Sequence, residues 1–160
     1  MAQNSESDYR LLPSFILSTR SVLNPVNQDL KSFGHAIVFA WPCHHPTDWN
    51  ASRGQPAKEE RLIQHGLNKI KYPVLPCEIP NLENQLRMRI NLCSFDDPSG
   101  YRRYAMYISK SDFIEKINLL YWDARYAWIK HFSRLFYDTM KYVFLWILLS
   151  YFIFTYDDFF

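Results

Sequence analysis

The hydrophobic pattern of this 160-residue chain changes its period near the middle, and this change limits the folds open to it. In the first half, apolar residues such as Phe33 and Ile37 recur at the spacing of one helix face. In the second half, Met88, Ile90 and Leu92 alternate with polar residues, as in a strand with one buried face. Helices followed by hairpin-linked strands predict an α+β domain.

Two helices are predicted in the first half. The first has Asp29 as its N-cap and runs to Ala40, before Pro42 stops it. The second opens at Pro56, where the missing N–H costs nothing. Its expected buried stripe consists of Leu62, Ile63, Leu67 and Ile70.

Strands are predicted at 14–19, at 87–94 and around Tyr104, Met106 and Ile108. Two more, at 116–122 and 125–130, are joined by a tight hairpin. We therefore expect two N-terminal helices packed on a mainly antiparallel sheet of four to five strands. With 48% apolar residues the chain supports a real core, predicted to include Phe33, Ile37, Leu62, Leu67, Ile90, Leu92, Ile108, Leu119, Trp128 and Ile129.

Composition divides the chain into three parts. Residues 1–13 are polar and are expected to be disordered, 14–138 form one domain, and 139–160 are an apolar, aromatic tail. The net charge of +2 implies no global attraction to nucleic acid or anionic lipid. The first residues show no signal peptide, so an intracellular protein, cytoplasmic or nuclear, is expected.

Cysteine usage gives no sign of a metal or disulfide framework. Three cysteines at long spacings fit free thiols in a reducing compartment. Cys43, His44 and His45 are adjacent, whereas structural zinc sites prefer ligands separated by a few residues. We expect no metal and no cofactor.

Five segments resemble a module found in proteins of Polinton (Maverick) type mobile DNA elements, over roughly residues 20 to 141. They are RSVLNP at 20–25, YPV at 72–74, YISK at 107–110, INLL at 117–120 and, most specifically, YAWIKHFSRLFYD at 126–138. In that family the module precedes a Cys/His zinc finger and often a protein-primed DNA polymerase. Its layout looks like that of a papain-like cysteine peptidase.

The resemblance implies a catalytic Cys at the start of the first core helix, a His at the start of the last strand, and an Asn or Asp after it. Here those positions are Ser32, Arg125 and His131. Arginine stays protonated and cannot act as a general base near neutral pH. No acid is expected to orient His35 or His131 toward Ser32. We therefore expect no enzyme activity and no small-molecule substrate.

The chain departs from the family after Lys141. Residues 142–160 are mostly apolar and contain no Cys or His where the resemblance implies a basic stretch and a zinc finger. We therefore expect a chain without the zinc finger and polymerase, as in an out-of-frame or decayed element copy. Residues 142–156 carry no charge. As a helix they would span about 22 Å, short of a bilayer core of about 30 Å. Flanking Lys141 and Asp157 fit a cytosolic domain with a tail anchor.

Three interpretations of the tail stay open: membrane contact, docking on the domain, and an aggregation-prone scar. Residues expected to contact a membrane are Tyr142, Phe144, Trp146, Ile147, Leu149 and Phe152.

Basic residues on the strands suggest a second kind of partner. Arg87, Arg89, Arg102 and Arg103 place positive charge on the predicted sheet, and such a surface can hold nucleic-acid phosphates. The function classes are therefore a non-enzymatic, mobile-element-derived domain with at most an interaction role, a nucleic-acid-binding module, and a small tail-anchored membrane protein.

Overall fold

The computed structural model describes residues 11–41, 59–96 and 102–136. Its α-helices in these ranges are α1 (Ser14–Leu17), α2 (Ser32–Ala40), α3 (Glu59–Gln64) and α4 (Ile79–Leu86). Short 3-10 helices cover Leu67–Lys69 and Pro76–Glu78. The strands are β1 (Val22–Leu23), β2 (Arg89–Phe95), β3 (Arg103–Tyr107), β4 (Lys116–Trp122) and β5 (Arg125–Ile129). Residues 132–136 are helical.

The strands form one five-stranded sheet in the order β1-β5-β4-β2-β3. All neighbouring pairs are antiparallel except β2 and β4, which are parallel. The predicted α+β class and mainly antiparallel five-stranded sheet are confirmed. The parallel pair was not anticipated, because it depends on the chain passing from β3 at the edge to the far side of β2.

The β4–β5 hairpin lies where the sequence predicts it. Its two turn residues, Asp123 and Ala124, have φ values of 49° and 58°. Positive φ at both central positions is the geometry of a type I′ turn, whose twist matches that of the flanking strands. This hairpin sets the position of Arg125, the first residue of β5.

Helical segments cover both faces of the sheet. On one face, α2, α3 and α4 contribute residues such as Phe33, Leu62 and Leu82 to a cluster with Ile90 and Leu119. On the other face, α1 and residues 132–136 form a second cluster. Its buried members are Leu12, Ile16, Cys93, Leu120, Ala127, Ile129 and Leu135.

Eight of the ten predicted core residues are buried, and two are corrections. Ile108 is 56% exposed because it follows β3, an edge strand, and a strand's place in the sheet cannot be read from its own alternation. Trp128 is only partly buried. In the predicted helical stripe, Ile63 is 55% exposed, because it lies about 100° around the helix from Leu62, the residue that faces the core. The helix itself ends at Gln64, before Gly66, whose φ is +70°.

The predicted strand at 14–19 is wrong, because this segment contains helix α1. The hydroxyls of Ser18 and Thr19 donate to the carbonyls of Phe15 and Ile16, at 3.0 and 2.7 Å. These bonds satisfy carbonyl groups at the end of a short helix. A short apolar run does not distinguish the two structures by pattern alone.

Helix α4 was not predicted, and it carries a buried carboxylate. Glu83 Oε1 accepts from the Ile90 N–H at 2.6 Å, and Oε2 accepts from the Tyr107 hydroxyl at 2.7 Å. One side chain thereby connects α4, β2 and β3. The two bonds explain why an acidic residue lies inside the domain.

Candidate functional site

The N-terminus of α2 packs against β5, and this contact brings two of the three predicted positions together. Ser32 is the first residue of α2, and its Oγ accepts from the Tyr126 N–H at 3.3 Å. Tyr126 in turn packs edge-on against Phe33, with ring centroids 5.1 Å apart. Because Arg125 precedes Tyr126, Ser32 and Arg125 are neighbours at this junction.

The Arg125 side chain is 1% exposed. Its Nη2 donates to Asn27 Oδ1 at 2.6 Å. The Asn27 amide in turn donates to Asp29 Oδ1 at 2.8 Å and to the Asp29 carbonyl at 2.6 Å. The Lys31 N–H also donates to Asp29 Oδ1, at 3.1 Å. The segment before α2 is therefore tied to the start of β5 by side-chain hydrogen bonds.

His131 lies apart from the other two positions. It is exposed, and its backbone N–H donates to the Ser21 carbonyl at 3.2 Å. It follows Arg125 by six residues along β5 and its extension, which corresponds to roughly 20 Å at the rise of a strand. Two of the three predicted positions thus meet, and the third does not.

The expectation that no acid orients a nearby histidine is wrong for His35. Its Nε2 lies 3.2 Å from Asp29 Oδ1, and the imidazole is buried, with 3% of its surface exposed. Asp29 was predicted as the helix N-cap, but α2 begins three residues later. Its carboxylate instead accepts from Asn27, Lys31 and His35. We call Asn27, Asp29, Ser32, His35 and Arg125 the α2–β5 polar cluster.

Burial and hydrogen bonding shift both ionisable groups of this pair. Burial lowers the pKa of His35 below its ordinary value of 6.5, and the Asp29 carboxylate offsets this only in part. Partial burial acts to raise the pKa of Asp29, but hydrogen bonds from Asn27 and from the Lys31 N–H outweigh it, so that this pKa is also lowered. Near neutral pH, His35 is therefore uncharged and Asp29 is ionised.

These shifts predict that the fold loses stability on mild acidification. Because the pKa of His35 is lower folded than unfolded, its contribution is present above pH 6.5 and is lost as the pH falls through the folded value. Asp29 acts in the same direction below pH 3.8. Urea unfolding at several pH values between about 5 and 7.5 measures the slope of the free energy of unfolding against pH. We expect His35→Gln to flatten this dependence on pH; an equal slope in the variant and in the unmodified protein would contradict the assignment.

The four predicted nucleic-acid-binding arginines fall into two separate pairs. Arg87 follows α4, and Arg89 begins β2. Arg103 lies opposite Phe95 at the other end of β2, with Arg102 beside it. Six residues of strand, roughly 20 Å, therefore separate the two pairs. They do not form one continuous basic strip.

Arg103 is engaged in packing between the edge strand and the helical segments. Its Nη1 donates to the Leu135 carbonyl. Its guanidinium also lies over the Phe15 ring, 5.6 Å from the centroid, as in a cation–π contact. These contacts hold its charge against the domain, whereas Arg102 is exposed.

The remaining predicted sites concern metal ligands and membrane contact. Within the described ranges, no three His, Cys, Asp or Glu side chains come close enough together to hold a metal ion. Cys43, His44 and His45 lie outside those ranges, as does the tail with its predicted membrane-contacting residues Tyr142, Phe144, Trp146, Ile147, Leu149 and Phe152. Among the helices of the described part, none has the length and apolar character to cross a bilayer.

Comparison of the chain with protein-family models, with curated proteins and with solved structures finds no match.

Proposed function

We propose that this domain is non-enzymatic and has at most an interaction role, having lost the catalytic set of the mobile-element module that it resembles. The α2–β5 polar cluster then serves to fix α2 on β5. The observation that carries this proposal is the burial of Arg125, whose guanidinium donates to Asn27 where the resembled family has a histidine.

The first support for the proposal is the chemistry of the Arg125 guanidinium. A general base must accept a proton from the nucleophile, and a guanidinium has no acceptor. Ser32 Oγ already accepts a hydrogen bond from the backbone of β5. Arg125 therefore cannot take up the proton that Ser32 would have to lose in order to act as a nucleophile.

The Asp29–His35 pair is the one acid–imidazole arrangement in the cluster, and burial argues against its use in catalysis. Ser32 and His35 each expose 3% of their surface, so a substrate carbonyl has no access to Ser32 Oγ in this conformation. The ring nitrogen Nε2 is directed to Asp29. We therefore explain the pair as a hydrogen bond that gives the buried imidazole nitrogen a partner.

A hydrolysis assay tests the proposal. Peptide and ester substrates are incubated near neutral pH with the unmodified protein, with Ser32→Ala and with His35→Gln. We expect all three proteins to match the buffer blank. Turnover by the unmodified protein that disappears in Ser32→Ala would refute the proposal, and parallel loss in His35→Gln would identify the base.

A further inference from the structure

We propose that Arg89 and Lys116, side by side at the ends of two parallel strands, bind phosphate groups of a nucleic-acid backbone. This inference names a partner class for the proposed interaction role, yet it depends on a different surface from the α2–β5 polar cluster. Of these two residues, Lys116 was not singled out by the sequence, because its proximity to Arg89 arises only from the parallel pairing of β2 with β4.

Strand register places the two cations on the same face of the sheet. Arg89 pairs with Lys116, and two residues further on Asn91 pairs with Asn118. The Asn91 amide donates to Asn118 Oδ1 at 2.9 Å, which confirms that this row shares a face. Neighbouring strands lie about 4.8 Å apart, so the two positive side chains start from adjacent backbone positions.

Electrostatics make this pairing costly unless an anion lies nearby. Like charges directly opposite each other on adjacent strands repel. Within the described part of the chain, no carboxylate forms an ion pair with either Arg89 or Lys116. The Arg89 Nε is buried and donates no hydrogen bond to any described residue. This buried atom lies out of a ligand's reach, but an anion bound beside the two positive side chains would relieve the repulsion between their charges.

The surface around the pair is polar and accessible. Further along the same face, Cys93 and Leu120 are buried beneath α1 and residues 132–136. Lys116, by contrast, is exposed, and Arg89, Asn91 and Asn118 are only partly buried. The helical cover therefore ends before the cationic row.

The mixture of groups favours a nucleic acid over a purely acidic protein segment. Arginine and lysine bind phosphates, and neighbouring asparagine amides are groups that hydrogen-bond to phosphate and sugar oxygens. Arg87, two residues before Arg89, is exposed and extends the positive surface at this end of the sheet. Arg102 and Arg103, at the far end, lie outside this site.

Fluorescence anisotropy with labelled DNA and RNA of mixed sequence, measured over a range of salt concentrations, tests the site. The double variant Arg89→Gln/Lys116→Gln should lower the slope of log affinity against log salt by about 0.7–0.9 for each phosphate contact removed. Arg102→Gln removes a positive charge from an exposed residue at the other end of the sheet, and it should leave the slope unchanged.

Several results would overturn the inference: no binding at low salt, an equal effect of Arg102→Gln, or equally tight binding of polyglutamate. Thermal unfolding checks that the variants fold. Lys116→Gln alone changes only an exposed side chain and should lower the slope by the amount that corresponds to one phosphate contact. Absence of binding leaves the proposed lack of catalysis intact, whereas turnover in the hydrolysis assay leaves this site intact.

Discussion

Replacing Arg125 by alanine is expected to lower the free energy of unfolding by about 3 kcal/mol. The change removes a charge-assisted hydrogen bond from a fully buried side chain and leaves Asn27 Oδ1 without that donor. It also leaves a cavity where the aliphatic part of the side chain packs. Urea unfolding followed by circular dichroism measures the loss.

Two comparisons make this result specific. Arg125→Lys keeps the charge but lacks the planar fork, and so should recover only part of the stability. The double variant Arg125→Ala/Asn27→Ala should lose less than the sum of the single changes by about 1 kcal/mol, because the two side chains share a bond. The exposed control Arg102→Ala should stay within about 0.5 kcal/mol of the unmodified protein. A similarly small effect of Arg125→Ala would contradict a structural role.

Gly34→Ala is expected to destabilise the domain by about 2 kcal/mol, although alanine favours an exposed helix interior by about 1 kcal/mol. Gly34 lies inside α2, and an added Cβ would collide with the Tyr72 hydroxyl and lie 3.1 Å from Leu62 Cδ2. The Tyr72 hydroxyl is held in place by donating to the Leu67 carbonyl at 2.9 Å. The methyl group therefore meets a side chain that cannot move without losing a bond.

A double-mutant cycle separates this clash from a general helix effect. In the Tyr72→Phe background the hydroxyl is gone, and Gly34→Ala should cost at least about 1 kcal/mol less than in the unmodified protein. Gly66 provides the contrast. Its φ is +70° and no atom lies within 4 Å of an added Cβ, so Gly66→Ala should cost about 1 kcal/mol from backbone conformation alone, independently of Tyr72. Additive losses at Gly34 and Tyr72 would contradict the steric explanation.

Local patterns predicted the parts of the fold that depend on nearby residues. The β4–β5 hairpin follows from alternation on both sides of Asp123-Ala124. One of the two buried faces of β2 follows from Ile90 and Leu92, and from Met88 just before the strand, all of which are at most 1% exposed. Helix α4 was missed because half of its eight residues are polar and Pro80 interrupts the pattern, although proline is well tolerated in the first turn of a helix.

The contacts of the candidate site could not be predicted because they join distant parts of the chain. Ser32 and Arg125 were found through the resemblance, but the partner of Arg125 is Asn27, 98 residues earlier in the sequence. The Asp29–His35 bond joins a residue before α2 to one inside the helix, six positions later, and no spacing rule indicated it. The parallel register that aligns Arg89 with Lys116 likewise depends on the path of the chain through the whole sheet.

The chemical state of Ser32 is the point on which the proposed function depends. A fluorophosphonate probe measures it most directly, because such a reagent labels base-activated serines without requiring knowledge of the substrate. Labelling is quantified by intact mass for the folded protein and for Ser32→Ala. We expect both proteins to show the same negligible labelling. Stoichiometric labelling of the unmodified protein that is lost in Ser32→Ala would contradict the proposal that Ser32 is not activated for catalysis.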